Sequence, residues 1–435
     1  MAALNVVFSS DGHYATWAQP RLAFIVKAAV LELSHIRNLH LSPRNLADVD
    51  YKEIIELLDA PAPFLETVEI TDANLPVNLF AGDSPRLTGL VLSTCTFDMQ
   101  LPIVANLRTL KLRHAPADNR IPVDQLISAL STMSRLEALH VIDSLDDHHG
   151  VTAIHPAQQV AQLPHLIELS IDCLLSNCIS LLNRIVYPTS TRVCAKYQTD
   201  LSGKDDDISV VRSFAKELGS RAPGPIRSVM LDEHGIKVWQ SPHAPASSPN
   251  LEITLPVLSK HEPAAKRFIR SLDLTRLKTL ILHCPFSPKF LTTSFGELRH
   301  LTTVIAGDNA FMFLSALAVG LPRKTSSTTD GADADAGPSD KSKLTFLSFK
   351  TLQIEGWQFD ELRQGGNTVF EVLKSCLRRR NEAGAPLPKL AIQSCLHGKE
   401  HLYVRALRAV VGEVEWDGAS NQEDSDECEG CGHRR

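Results

Sequence analysis

The chain is predicted to be an α/β protein, a curved solenoid with a parallel sheet on its concave side and helices on its convex side. Three observations predict this. A leucine-x-x-leucine-x-leucine phrase recurs from one end of the 435 residues to the other. Amphipathic helical stretches fall between its copies. The 59 leucines, about one residue in seven, supply a core that stacked units share because no single unit could bury its own. The clear copies are Ile36/Leu39/Leu41, Leu65/Val68/Ile70, Leu87/Leu90/Leu92, Leu107/Leu110/Leu112, Leu136/Leu139/Val141 and Leu166/Leu169/Ile171. Looser copies follow at Ile226/Val229/Leu231, Leu277/Leu280/Leu282, Leu301/Val304/Ala306, Phe349/Leu352/Ile354 and Leu387/Leu390/Ile392. Twice the phrase reaches the longer leucine-rich-repeat form with Cys at its ninth position, Leu87 to Cys95 and Leu387 to Cys395.

Each phrase predicts one strand, because alternate side chains along a strand face opposite ways and the leucines claim one face. Successive phrases start 29, 22, 20, 29 and 30 residues apart as far as Leu166. Wider gaps farther on are filled by two alternating segments, Thr191–Tyr197 (TRVCAKY) and Leu251–Leu255 (LEITL), which predict further strands. Between strands, Asp50–Asp59 sets Ile54, Ile55, Leu57 and Leu58 on one face. Pro122–Met133 opens on a proline suited to a first helical position and turns Leu126, Ile127 and Leu130 inward. Arg21–Ser34, Leu174–Ile185, Asp206–Gly219, Pro263–Ser271, Phe311–Leu321, Thr368–Arg380 and Glu400–Val411 are the other expected helices.

These elements predict a helical lead-in or cap over 1–35, a solenoid over 36–323, and terminal strands with a cap over 344–416. Residues 324–343 (KTSSTTDGADADAGPSDKSK) carry no large apolar side chain and predict a disordered linker; Ser326, Ser327, Thr328 and Thr329 within it would be open to phosphorylation. The acidic tail 417–435 predicts the same state.

Composition narrows the function. A net charge of −6 gives no reason to expect a nucleic-acid partner. The longest apolar runs, such as Phe311–Leu321, fall far short of the roughly 20 residues that span a bilayer, and no signal-peptide pattern opens the chain. Nine scattered cysteines, most inside apolar segments, fit reduced thiols in an intracellular setting, cytoplasmic or nuclear.

The side chains between the leucines face the concave surface, where solenoids of this class hold partners. Glu69, Lys111, Arg113, His140, Asp172, His283 and Glu355 are the partner-binding candidates, centred on Lys111, Arg113 and His140. No phosphate loop, GxGxxG, GxSxG or HExxH sequence is present, so no catalytic residue and no cofactor are expected. Cys428, Cys431 and His433 have partial zinc-ligand spacing, but no second pair accompanies them, and no metal is expected. His148, His149 and His155 beside Asp143, Asp146 and Asp147 read as a polar loop, and Arg378–Arg380 as basic residues suited to a helix C-terminus.

One stretch carries a family likeness. PFLETVEITDANLPVNLFAGDSPRLTGLVLSTCTF (Pro63–Phe97), LRTLKLRHAP (Leu107–Pro116) and MSRLEALHVIDSL (Met133–Leu145) resemble the leucine-rich-repeat region of the F-box proteins of mushroom-forming fungi. A looser likeness runs through LLNRIVYPTSTRV (Leu181–Val193) to VEWDG (Val414–Gly418). The resemblance implies a non-catalytic substrate receptor of a cullin-type ubiquitin ligase, with a protein substrate on the concave face. Where an F-box exists, it would dock on a Skp-type adaptor and so reach the cullin. No leucine-proline-x-glutamate phrase marks an F-box between Met1 and Ile36. The alternative expectation is therefore a free-standing repeat scaffold without ligase coupling, its F-box lost or encoded upstream of Met1.

Overall fold

A computed structural model describes residues 4–8, 19–43, 48–146, 159–198, 224–241, 248–254, 262–308, 310–319, 345–362, 366–395 and 400–417. Along the chain these form β1 (Leu4–Phe8), α1 (Gln19–Val30), β2 (Ile36–Leu41), α2 (Asp48–Glu56), β3 (Thr67–Thr71), β4 (Gly89–Ser93), β5 (Thr109–Arg113), α3 (Val123–Leu130) and β6 (Ala138–Ile142). There follow β7 (Ala161–Gln162), β8 (Glu168–Leu174), α4 (Leu175–Arg184), β9 (Ile185–Val186), β10 (Arg192–Gln198), β11 (Ser228–Leu231), β12 (Gly235–Trp239) and β13 (Leu251–Thr254). The remainder is α5 (Glu262–Ser271), β14 (Thr279–Leu282), α6 (Pro288–Phe295), β15 (Thr303–Ala306), α7 (Met312–Leu317), β16 (Thr351–Glu355), α8 (Val369–Glu382), β17 (Lys389–Gln393), α9 (Glu400–Arg408) and β18 (Glu413–Trp416).

The protein is α/β, its strands mostly parallel, and its contacts divide it into two units. Unit 1 comprises Met1–Pro223 with Asn250–Pro256; unit 2 comprises Gly224–Pro249 with Val257–Arg435. Unit 1 carries the parallel strand order β1-β2-β3-β4-β5-β6-β8-β10-β13 and a separate small pair, β7-β9. Unit 2 carries β12-β11-β14-β15-β16-β17-β18, parallel except for the β11–β12 hairpin. The 324–343 and 418–435 segments and the expected helix Asp206–Gly219 lie outside the described residues, as do Asp147, His148, His149, His155, Cys428, Cys431 and His433.

Every phrase named from the sequence forms a strand, with its fourth and sixth positions buried. Val68 and Ile70, Leu90 and Leu92, Leu110 and Leu112, and Leu139 and Val141 lie under the sheet, while the residues between them stay half-exposed on the other face. A buried leucine of this kind contributes about 2 kcal/mol. Phrase spacing decides what fills each connection. The 29-residue steps leave room for α2 and α3, whereas the 22- and 20-residue steps hold only short turns: Leu79–Gly82, in which Phe80 and Ala81 take positive φ, and the 3-10 turn Pro102–Asn106.

The exit from the strand is the most regular local feature. The residue after β3, β4, β5, β6, β16 and β17 adopts positive φ: Asp72, Thr94, His114, Asp143, Gly356 and Ser394. That left-handed step aims its N–H at the next strand. Asp72 donates to Ser93 O at 2.9 Å, Thr94 to Arg113 O at 2.8 Å, His114 to Ile142 O at 2.7 Å and Gly356 to Gln393 O at 3.0 Å. The ninth position then turns inward. Cys95, Ser144, Trp357 and Cys395 are buried there, and Trp357 Nε1 donates to Gly307 O at 2.7 Å.

Several elements depart from the sequence reading. The segment 1–35, expected to be helical, contributes β1, which pairs in parallel with β2. The β11–β12 hairpin was not anticipated; its turn is fixed by Asp232, whose carboxylate accepts from His234 N and Gly235 N at 2.8 and 2.7 Å. Arg380 is no surface charge at a helix end. It is buried near the end of α8, which Thr368 and Glu371 cap reciprocally at its start, and its guanidinium donates to Leu317 O, Thr345 O and Phe346 O at 3.1–3.3 Å.

Three consequences are measurable. Leu110→Ala is expected to cost about 2–5 kcal/mol in denaturant unfolding. Thr94→Gly, which relieves a β-branched residue at positive φ, is expected to raise stability by about 0.5–1 kcal/mol in the same assay. Burial pushes the Cys95, Cys376 and Cys395 thiols up to about 11 and the Cys284 thiol to about 12. Mass-spectrometric mapping of alkylation at pH 8 should therefore find these four protected until the protein is unfolded.

Candidate functional site

The open face of unit 1 is built by strand register. Residues opposite one another on parallel neighbours stand about 4.8 Å apart, so each position of the phrase forms a row across the sheet. The fifth-position row runs His40, Glu69, Val91, Lys111, His140, Ser170, Cys194, Glu252. The seventh-position row runs Thr71, Ser93, Arg113, Ile142, Asp172, Lys196. The register thus places Glu69, Lys111, Arg113, His140 and Asp172 on one face. It does not bring His283 or Glu355 to them: both belong to unit 2, where the Glu355 carboxylate accepts from Gln353 Nε2 at 2.6 Å.

Charge along these rows is uneven. Glu69 is engaged by His40, Nδ1 to Oε2 at 2.8 Å. Lys111 has no hydrogen-bond or ion-pair partner among the described residues, and the Arg113 Nε is buried without a hydrogen-bond partner. His140 lies beside both, with Nε2 3.9 Å from Glu168 Oε2. Burial above all, then the Lys111 ammonium, holds the His140 imidazole below its ordinary value of 6.5; Glu168 opposes this and Arg113 adds to it. The neighbouring positions are small. Gly89 is closely neighboured, since a Cβ there would meet Thr67 Cγ2 at 3.2 Å. Ala138 and Thr109 flank the same stretch.

The 3.9 Å between His140 Nε2 and Glu168 Oε2 is an ion-pair distance, longer than a hydrogen bond. Among the described residues, no group of three His, Cys, Asp or Glu side chains could hold a metal ion, and no helix is long and apolar enough to cross a membrane. His40, Cys194, Lys196 and Glu252 join the face without having been named from the sequence. The alternation of Thr191–Tyr197 and Leu251–Leu255 could have supplied the last three.

No family model matches the chain, and no curated protein matches it.

The charge environment of His140 is open to direct test. Its contribution to stability should be fully present above the unfolded value near 6.5 and decline as pH falls below it, because the unfolded chain takes up the proton first. In a histidine NMR titration, Lys111→Met is expected to raise the His140 midpoint and Glu168→Gln to lower it.

Proposed function

We propose that the chain is a non-catalytic, protein-binding leucine-rich-repeat protein that holds its partner on the open face of unit 1, the concave face of a solenoid. One observation carries the reading. Lys111 and Arg113 project from one strand with polar groups unpaired, beside the desolvated His140, and acidic positions border them at Glu69, Glu168 and Asp172. Such a centre is complementary to an acidic segment of a folded or extended polypeptide, with the outer carboxylates fixing register.

The likeness of Pro63–Phe97 to fungal F-box proteins supports a place for this face in a cullin-type ubiquitin ligase, as an F-box-family-like substrate receptor. A free-standing scaffold without ligase coupling is the second reading of the same face. Affinity purification of the tagged chain from its own cells distinguishes the two. Recovery of a Skp-type adaptor and cullin supports the receptor; partners recovered without them support the scaffold. In either case the double variant Lys111→Glu, Arg113→Glu is expected to lose the captured partner by roughly tenfold or more while unfolding at the same temperature. Retention of every partner by this variant would remove the open face as the binding surface.

A further inference from the structure

The second position of the phrase, just before each strand, forms a column along the sheet edge, linked by backbone bonds such as Lys278 N to Arg227 O at 2.8 Å. In unit 1 this column alternates in sign. Arg37 pairs with Glu66 at 2.7 Å and Arg108 with Glu137 at 3.1 Å. In unit 2 the same column reads Arg227, Lys278, Thr302, Lys350, without an acid. Two residues earlier on adjacent strands stand Arg276 and His300, in equivalent positions by the Thr279–Thr303 register.

Arg227, Arg276, Lys278 and His300 line one cavity of about 330 Å³. None has a side-chain hydrogen bond or ion pair among the described residues. The nearest carboxylate in sequence, Asp273, accepts from Thr275 N and Oγ1 at 3.1 and 2.6 Å and does not line the cavity. Basic side chains on neighbouring strands, about 4.8 Å apart, repel one another unless an anion lies between them. At the equivalent edge of unit 1 the acids are Glu66 and Glu137; here the acid beside the cluster, Asp273, feels the Arg276 charge from outside the cavity lining.

We infer that this edge of unit 2 binds a phosphomonoester. Two arginines, a lysine and a histidine lining one small cavity match a compact dianion with several acceptor oxygens. The volume admits a phosphoryl group with a few attached atoms, at the small end of ligand pockets. The phosphate belongs either to a free small molecule or to a phosphorylated side chain of a bound protein. The inference is independent of the unit 1 face.

Calorimetric titration of the full chain with inorganic phosphate, O-phosphoserine, a phosphoserine peptide and its unphosphorylated twin tests it. O-phosphoserine is expected to bind at roughly 1 mM or tighter and to weaken about tenfold in Arg276→Gln, Lys278→Gln, two exposed positions whose replacement spares the core. The unit 1 variant Lys52→Gln, at an exposed position of α2, should bind it unchanged. A phosphopeptide that outbinds the free amino acid, while its twin does not bind, assigns the phosphate to a protein partner; equal affinities assign it to a small molecule. Absence of phosphate binding at 10-fold above that range, equal binding by the Gln variant, or tighter binding of an oligonucleotide than of O-phosphoserine would each overturn the inference.

Discussion

The turn that ends β3, β4, β5, β6, β16 and β17 is the constraint on which the elements around it depend. A parallel strand must hand the chain to a connection without losing register with its neighbour, and here a single residue at positive φ does so. Asp72, Thr94, His114, Asp143, Gly356 and Ser394 share that conformation although their side chains range from a carboxylate to none. Their common property is geometric: a left-handed residue turns the chain under the sheet and leaves its N–H directed sideways. The ninth residue can then be buried, and side chains as different as Cys95 and Trp357 occupy that position because each finds a carbonyl within reach. Leucine burial supplies the stabilisation, but the turn decides that one buried face continues into the next.

This explains what was legible in the sequence. The leucine pattern located the strands because burial at positions four and six requires apolar side chains wherever the sheet is covered. Helices emerged wherever the spacing left room, as over Val123–Leu130. Short connections were opaque, since a 3-10 turn such as Pro102–Asn106 has no periodicity to detect. β1 escaped notice because Leu4–Phe8 is a short apolar run with no phrase, and such runs do not separate strand from helix. The β11–β12 hairpin escaped because its Asp232 turn interrupts what otherwise reads as a single strand. At the candidate site, identity along the outward positions was readable once register was assumed. Pairing was not: that His40 hydrogen-bonds Glu69 while Lys111 has no partner among the described residues depends on rotamers and on the small residues between them.

Electrostatics are distributed differently on the two faces and edges of the sheet. Unit 1 neutralises its edge with Arg37–Glu66 and Arg108–Glu137 and concentrates unpaired charge on its open face. Unit 2 leaves its charge at the edge, around Arg227 and Lys278, and pairs its open-face polar groups through Gln353, Glu355 and Gln393. Exposed ion pairs contribute little to stability, so this distribution matters mainly for what each surface can attract.

Arg380 has a consequence of another kind. One guanidinium grips Leu317 O on one side and Thr345 O and Phe346 O on the other, so the two ends of the intervening chain are fastened at a fixed separation by a residue that belongs to neither. The anchoring of α7 against the approach to β16 is thus set by α8, an element that follows both in the chain.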